Sequence, residues 1–352
     1  MGTESVDNKC PSCNASIKFN PTTQNWKCEY CGMEYTVEDF EKKQSKEKKT
    51  SKKTDDSNIE LEQYNCSNCG AIVVTDKETT ATFCVYCGST TIMKNRLEGT
   101  FKPDKLIPFK TTKQDAIEEF KKCVKRQWFA PKTFSDEQNI QKITGVYVPF
   151  WLYDSGATGS IVVACTRSVS HTSGNYRTTT TSHYICDRSG EMTFTDVPAD
   201  ASSKFDDAIM DSIEPYEYKD FVPFNRSYLS GFLAEKYNQT QEEVYKRAEE
   251  RIKNSFVRSL ENTITGYGTR VVTSSTVNLT KGDVEYALLP VWMLNVKYKD
   301  KMHTFAMNGQ TKKCVGNVPI DFGKLVRKTS ICLGLSFIIG AAIRVFIGLG
   351  SL

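Results

Sequence analysis

The segments GVYVPFWLYD (residues 145–154) and YALLPVWMLN (residues 286–295) share a Pro-x-Trp core flanked by large apolar residues. Each lies in a stretch rich in Val, Thr and Tyr, which is typical of antiparallel strands. The order downstream also agrees, because His183 and His303 are each followed by a glycine and then by a Val-Pro pair. We interpret this repetition as an internal duplication. It predicts an α+β body of two related halves with antiparallel sheets, packed about a pseudo-twofold axis.

Capping boxes mark the helices that precede these strands. Thr112 with Asp115, and Thr240 with Glu243, have the spacing that satisfies the first free N–H groups of a helix. Apolar residues follow the boxes at helical spacing, and the predicted buried faces are Ala116, Phe120, Val124 and Trp128 in the first helix and Val244, Ala248, Ile252, Phe256 and Leu260 in the second.

Between the two Pro-x-Trp segments, residues 166–182 are polar, and we expect an exposed hairpin tip or a mobile loop there.

Ahead of the body, eight of the 13 cysteines form four Cys-x-x-Cys pairs. The first and second pairs are separated by 14 residues, and so are the third and fourth. Two thiolates from each of two tight turns complete the tetrahedral site that Zn²⁺ prefers, so the spacing predicts two small zinc ribbons with four cysteines each. Four cysteines leave no coordination position open, and both Zn²⁺ ions are therefore expected to be structural. The predicted metal ligands are Cys10, Cys13, Cys28, Cys31, Cys66, Cys69, Cys84 and Cys87.

Disulfides are the alternative use of these cysteines. Residues 1–8 are polar and lack the apolar stretch of a signal peptide, which favours a reducing cytosol and therefore zinc. Iron or redox chemistry remains open as a second interpretation of the same cysteines. The other five cysteines stand alone in the sequence, and we expect small buried apolar side chains at Cys123, Cys165, Cys186, Cys314 and Cys332.

The length of 352 residues suits two or three compact units. A net charge of +4 excludes a strongly basic protein that coats nucleic acid. A Lys-rich linker connects the two ribbons at residues 41–60. It serves either as a solvated spacer or as an electrostatic contact to anionic lipid or nucleic acid. We predict zinc ribbon one at 1–40, the linker at 41–60, zinc ribbon two at 61–95, the two halves of the body at 96–215 and 216–325, and a C-terminal transmembrane helix at 329–352.

The C-terminal segment 331–352, ICLGLSFIIGAAIRVFIGLGSL, is apolar over 22 residues. As a helix it would be about 33 Å long, enough to cross a bilayer. Lys324, Arg327 and Lys328 precede it, and the positive-inside rule then leaves the bulk of the chain in the cytosol. Within the segment, Arg344 could extend to the headgroups or pair with an acid on a partner helix. The sequence thus predicts a single-pass cell-membrane protein with a C-terminal anchor.

Motifs of catalysis are missing from the sequence. It has no phosphate-binding P-loop, no His-Glu-x-x-His and no Gly-x-Ser-x-Gly, so we predict that the protein is not an enzyme. An acidic stretch could bind a divalent cation, but a solvated helix face is the favoured interpretation of Asp206, Asp207, Asp211, Glu214, Glu217 and Asp220. Ribbon aromatics could stack on bases, but packing of the small ribbon cores is the favoured role of Trp26, Tyr30, Tyr35, Tyr64, Phe83 and Tyr86.

The tandem ribbons, the two Pro-x-Trp segments, MDSIEPYEY (210–218), HTFAMNGQT (303–311) and the apolar C-terminal run together resemble a family of bacterial tandem zinc-ribbon membrane proteins. Such proteins carry labels such as transcription-factor-IIB-type zinc-ribbon protein or primosomal-helicase-like protein. The resemblance covers nearly the whole chain. It implies zinc on the eight cysteines, a non-enzymatic role at the membrane, and partners among membrane-stress proteins or other zinc-ribbon membrane proteins.

These features predict a membrane-anchored adaptor or scaffold whose zinc ribbons dock protein partners at the cytosolic membrane face, in a membrane-stress response. The alternative is a nucleic-acid-binding zinc-ribbon protein tethered to the membrane. Salt separates the two hypotheses, because phosphate contacts weaken steeply with ionic strength.

Overall fold

A computed structural model describes residues 10–13, 15, 17–36, 39, 62–75, 84–87, 89, 92–96, 102–127, 129–316 and 318–349. The Lys-rich linker lies outside these residues. A small antiparallel sheet near the N-terminus has the order β1-β2-β3. Its strands are β1 (Ile17–Asn20), β2 (Asn25–Cys28) and β3 (Glu34–Tyr35).

The remaining described strands form one 11-stranded sheet. They are β4 (Glu62–Cys66), β5 (Ile72–Thr75), β6 (Ile92–Arg96), β7 (Lys105–Leu106), β8 (Thr144–Ser173), β9 (Tyr176–Asp200), β10 (Val222–Pro223), β11 (Leu233–Glu235), β12 (Thr269–Tyr298), β13 (Lys301–Asn308) and β14 (Cys314–Gly316). The main path is β10-β7-β12-β8-β11-β5-β4-β6, while β9 pairs with β8, β13 with β12 and β14 with β13.

Five α-helices lie among the described residues. They are α1 (Lys113–Arg126), α2 (Glu137–Ile140), α3 (Asp207–Ile213), α4 (Gln241–Asn262) and α5 (Phe322–Leu349). Short 3-10 turns occur at Lys132–Ser135, Tyr218–Asp220 and Arg226–Leu229.

The two Pro-x-Trp segments pair with each other. They lie in β8 and β12, which run antiparallel with Pro149 opposite Leu288 and Tyr147 opposite Pro290. The two pairs exchange places under a local twofold rotation, so the register itself has pseudo-twofold symmetry. Short parallel strands occupy equivalent outer edges, β11 on β8 and β7 on β12. Beyond them each long strand takes its hairpin partner, β9 or β13.

An aromatic cluster fills the core beside this pairing. The ring of Phe109 stacks on Phe232 with centroids 4.1 Å apart and contacts Tyr147 and Trp292 edge-on. Phe109 is fully buried. The indole N–H of Trp292 donates to Thr111 Oγ1 at 2.8 Å, so the polar edge of the ring is satisfied inside the core.

Both predicted capping boxes are confirmed. Thr112 and Thr240 are N-caps whose side chains accept from the backbone N–H three residues later, while Asp115 and Glu243 bond back to the cap. The predicted apolar residues of α1 are buried as far as Val124, and Trp128 lies outside the described residues. All five predicted apolar residues of α4 are buried, and α4 packs on one face of the β8–β9–β12 sheet.

The predicted fold class, an α+β body with antiparallel sheets and a C-terminal transmembrane helix, is wrong. The described structure is mostly sheet with few helices, and two pairings in that sheet are parallel. Strand length explains the difference, because β8 and β12 span 30 residues each and β9 spans 25. The polar stretch 166–182 extends this sheet as a hairpin, because cross-strand hydroxyl pairs such as Ser170–Thr179 satisfy its side chains.

The predicted membrane anchor is also wrong. Among the described residues, no helix combines the length and the apolar character that a bilayer crossing requires. Helix α5 begins at Phe322 and therefore includes Lys324, Arg327 and Lys328, so the helix as a whole is less apolar than the segment 331–352 alone. A crossing needs about 20 consecutive, mostly apolar residues. The prediction of a single-pass membrane protein with a cytosolic bulk is withdrawn with it.

Phe109→Ala should lower the free energy of unfolding by about 3–5 kcal/mol, because it removes a fully buried ring from the aromatic cluster. Urea unfolding monitored by circular dichroism measures the change. Val169→Thr is the control, since Val169 is 63% exposed and should change stability by no more than about 0.5 kcal/mol. Equal stability of the two variants would contradict the assigned core.

Candidate metal centres

Four Cys-x-x-Cys turns form two sites. In each turn the N–H of the first cysteine donates to the carbonyl five residues later, and the bonds are Cys10 to Ala15, Cys28 to Met33, Cys66 to Ala71 and Cys84 to Ser89. Two of the turns close with a glycine in the left-handed region, Gly32 at φ 73° and Gly70 at φ 68°. Gly88 and Asn14, which follow the other two pairs, lie outside the described residues.

The eight predicted ligands converge as two groups of four sulfurs. Within each group all four sulfurs lie within 4.8 Å of one another. The shortest contacts are 3.5 Å in the first group, Cys10–Cys31 and Cys13–Cys28, and 3.6 Å in the second, Cys66–Cys87 and Cys69–Cys84. A tetrahedron with Zn–S bonds of roughly 2.3 Å has edges of about 3.8 Å. The two four-cysteine groups therefore fit two zinc ions, as the spacing predicts.

Hydrogen bonds favour the thiolate form that a metal needs by lowering the pKa of Cys10 and Cys28 in the first site and of Cys87 in the second. Burial raises the pKa of the Cys10 thiol, but contacts from the Tyr35 hydroxyl and from backbone N–H groups outweigh it and lower the pKa to about 6. Burial likewise raises the pKa of Cys87, and the Asn68 side chain with the backbone of Ser89 lowers it to about 7. Burial raises the pKa of Cys69 and Cys84 in the second site, so their protons must be released when a metal binds.

Ribbon one, residues 10–36, shares its core with the body. The rings of Phe19 and Trp26 pack on Tyr228 with centroids 5.0 and 5.1 Å apart. The side chain of Gln24 donates to the carbonyl of Phe109 at 2.9 Å. Trp26 is fully buried, which agrees with the packing role favoured from the sequence.

Ribbon two, residues 62–96, is continuous with the large sheet. Its strand β5 pairs with β11 of the body, with Val74 opposite Ala234. Two side chains of the body also donate hydrogen bonds to backbone carbonyls of the metal-binding turns. Lys204 Nζ donates to the carbonyl of Cys69 at 2.7 Å, and Asn295 Nδ2 donates to the carbonyls of Val85 and Tyr86.

A buried carboxyl group lies under the second ribbon. Glu235 of β11 is 2% exposed and accepts a 2.7 Å hydrogen bond from Ser202. The phenol of Tyr86, itself buried, lies beside this carboxyl group. Burial raises the pKa of Glu235 to about 7, against the lowering effects of Ser202, Tyr86 and the charge of Lys204.

Corresponding tyrosines of the two ribbons have opposite environments. Tyr30 in Cys28–Cys31 and Tyr86 in Cys84–Cys87 occupy the same place in their turns. Tyr86 is half-buried against the body: its ring packs on Phe205 with centroids 5.3 Å apart, and its hydroxyl oxygen is buried. Tyr30 is 85% exposed and is followed by the half-exposed Met33.

The remaining cysteines do not all stand alone. The thiols of Cys123 and Cys314 interact, and this contact lowers the pKa of Cys123 to about 7. Cys186 lies beside the buried Cys165. Cys332 is exposed, so the expectation of a buried side chain is wrong there.

The acidic stretch pairs with arginines of α4. Arg247 contacts Asp200, Asp207 and Asp211, and Arg251 contacts Asp211 and Glu214. Among the described residues, the metal-binding geometry is found only in the two four-cysteine groups. Three of the six acidic side chains thus face α4, whereas Asp206 caps α3, Glu217 pairs with Lys219 and Asp220 pairs with Lys110.

Sequence reasoning missed the residues that support the sites. Lys204, Glu235 and Asn295 lie far along the chain from the cysteines. Glu235 offered one signal, because the apolar triplet Phe232–Ala234 directly before it indicates a buried strand.

Comparison with known proteins gives one informative similarity. The chain is 36% identical over 345 residues to YdjG of Bacillus subtilis, a protein described as uncharacterized, and the match covers 98% of this chain and 99% of YdjG. No family model matches the chain. No solved structure matches it either.

Replacing Cys66 and Cys69 with Ser should lower the metal content from two ions to one per chain, because the second four-cysteine group loses half of its ligands. Elemental analysis by mass spectrometry measures the content and identifies the metal. Cys123→Ser is the matched control and should keep both ions. Unchanged metal in the double variant would contradict the assignment.

Glu235→Gln should become progressively more stabilising, relative to the unchanged protein, between about pH 4 and about pH 7, and the difference should level off above about pH 8. The unfolded carboxyl group has a pKa of roughly 4.3, whereas burial raises the folded value to about 7. The native glutamate therefore loses stability as pH rises through this window, and the amide does not. Melting temperatures across the window measure the difference. Glu250→Gln, at an exposed position, should show no pH-dependent difference in melting temperature. A difference for Glu235→Gln that stays constant with pH would contradict a buried carboxyl group of raised pKa.

Proposed function

We propose that this chain, which belongs to the same family as Bacillus subtilis YdjG, is a zinc-dependent adaptor that binds a protein partner through its first ribbon. The binding surface is the outer knuckle, defined as residues 28–33. The sequence expectation of a non-enzymatic docking protein is kept, without its membrane component.

The observation that carries the proposal is the contrast between the two knuckle tyrosines. Tyr86 of ribbon two inserts into the body, against Phe205 and beside Glu235. Tyr30 of ribbon one is 85% exposed. Tyrosine is enriched at the centres of protein interfaces, because it combines a large apolar ring with a hydroxyl group. The outer knuckle thus exposes a tyrosine at the position where the corresponding turn of ribbon two packs its tyrosine against the body.

The internal docking also indicates what the partner offers. Around Tyr86 the body supplies an aromatic ring, a buried acid and an amide that donates to knuckle carbonyls, from Phe205, Glu235 and Asn295. We expect a partner surface with a pocket of this chemistry. Exposed Met33 would add flexible apolar contact area beside the ring.

The role proposed for zinc is to fix the shape of the knuckle. A four-thiolate site has no free coordination position, so the ion holds the turn and leaves recognition to the side chains on it. Cys31 follows Tyr30 directly, and its Sγ lies 3.5 Å from Sγ of Cys10 on the other side of the site. Loss of metal should therefore abolish binding even when Tyr30 is intact.

The nucleic-acid alternative has less support from the ribbons. Base stacking needs exposed aromatic rings, whereas Trp26, Tyr35 and Tyr64 are 0, 4 and 7% exposed. Phe83 lies outside the described residues. Of the ribbon aromatics described, Tyr30 is the one fully available to a base, so both hypotheses make use of it and the test must separate them.

Tyr30→Ala should reduce recovery of a protein partner by more than about tenfold, since interface tyrosines of this kind contribute about 2 kcal/mol or more. Affinity capture with the full-length chain from its native host, with and without nuclease, measures recovery. Tyr176→Ala is the matched control, because Tyr176 is 81% exposed but lies on the β8–β9 hairpin. Partners that survive nuclease, disappear with Tyr30→Ala and persist with the control are expected.

Two results would contradict the proposal. The first is equal recovery with the Tyr30 variant, provided that its metal content is unchanged. The second is loss of all bound protein on nuclease treatment, which would favour the nucleic-acid alternative.

A further inference from the structure

The outer edge of β9 carries a long run of unpaired backbone groups. Within the described part of the chain, β9 pairs only with β8. The run begins at Tyr176, after the two-residue Gly174–Asn175 turn, and ends at Phe194, where the register shifts. Beyond Phe194 a bulge interrupts the strand, because Asp196 has a φ of 54° and its N–H donates to Asp154 of β8, so the regular edge ends there.

This edge lacks the features that usually prevent strand pairing. Exposed edges are protected in most proteins by lysine, proline, bulges or a covering element. The run 176–194 contains neither Lys nor Pro, and its register with β8 is unbroken. It is instead rich in threonine, which favours strands. Residues 176–185 are exposed throughout.

The alternation of hydrogen bonds along β8 and β9 determines which residues of β9 direct their N–H and C=O groups away from β8. The residues that flank a two-residue hairpin turn, here Ser173 and Tyr176, form a hydrogen-bonded pair. Bonded and non-bonded pairs alternate from there, so the odd-numbered residues of β9 direct their N–H and C=O groups outward. The carbonyl of Asp187 agrees, because it accepts from the guanidinium of Arg188 at 2.8 Å.

The geometry points to a symmetric dimer in which β9 pairs antiparallel with β9 of a second copy, centred on Ile185. In an antiparallel pair a twofold axis can pass through either a bonded or a non-bonded pair of residues. Ile185 directs its backbone groups outward, so it would form a bonded pair with its own copy. It is also the midpoint of the run from Tyr176 to Phe194, so this register alone pairs the whole free edge with itself. The inference goes beyond the proposed function and does not depend on it.

The side chains of this register are complementary. Ile185, which is 78% exposed, meets its own copy across the axis. Asp187 lies opposite His183 of the second copy, and Tyr176 lies opposite Phe194. Aromatic pairs and polar pairs that can hydrogen-bond are favourable cross-strand contacts of sheets. Registers centred on Asp187 or Ser189 would place acids opposite acids. Arg188 must release the Asp187 carbonyl for the pairing to form.

Disulfide trapping tests the register. Ile185→Cys places two thiols opposite each other in a bonded pair, with Cα atoms about 5.5 Å apart, within the range that a disulfide spans. Oxidised glutathione supplies the oxidising equivalents, because each disulfide formed reduces one molecule of it to two thiols. We expect a covalent dimer linked between the two introduced thiols at position 185, as mapped by mass spectrometry of the full-length chain.

Thr181→Cys is the matched control, since it lies on the same edge and face but would oppose Ser189 of the second copy. It should give no such link. A link in the Thr181 variant, or none in the Ile185 variant, would overturn the register.

Sedimentation of the full-length, metal-loaded chain over a concentration series tests the dimer itself. Ile185→Lys sets two like charges opposite each other and should weaken dimerisation by at least about tenfold. Val271→Lys is the control, because Val271 is 55% exposed on the same face but lies in β12. A wild-type chain that stays monomeric, or an Ile185→Lys variant that dimerises like the control, would overturn the inference.

Discussion

The pairing of β8 with β12 is the interaction on which the rest of the structure depends. The two strands carry the repeated Pro-x-Trp segments, and their register is symmetric about the local twofold axis. Near that axis both faces of the pair are buried, so Val146, Tyr147, Leu288 and Leu289 contribute to cores on either side. Every other described strand of the large sheet attaches to this pair, directly or through a neighbour. A shift of one residue would turn these side chains to the wrong faces.

The second ribbon is an extension of this sheet. Its strand β5 pairs with β11, and β11 pairs with β8 where β8 meets β12. Metal binding by the four cysteines of this ribbon and folding of the body should therefore be linked, because a bound ion would order strands that the body sheet needs for pairing. Ribbon one attaches by packing around Tyr228 and leaves its outer knuckle exposed. Two copies of one motif are thus used differently, one as part of the sheet and one as a surface.

Local signals in the sequence predicted the local features. The cysteine spacing identified the eight cysteines that converge in two groups of four, and the Thr-x-x-Asp and Thr-x-x-Glu patterns identified the starts of α1 and α4. Features set by distant contacts could not be predicted. Tyr30 and Tyr86 are equivalent in sequence, and only the position of Glu235 and Asn295 in the fold separates them. The stretch 166–182 lacks apolar alternation, so the sequence left a hairpin tip and a mobile loop as alternatives, and the structure has a hairpin there. The sequence analysis placed Lys324, Arg327 and Lys328 before the apolar segment, whereas the structure includes them in the same helix.

Hydrogen–deuterium exchange of the metal-loaded and chelator-treated chain tests most directly whether the second metal site is part of the sheet. If it is, metal removal should raise exchange in β5 and also in β11 and in the start of β8, around Val146 and Tyr147. Faster exchange confined to the metal-binding turns, with β11 and β8 unchanged, would show that the ribbon is an independent module and would contradict the coupling described here.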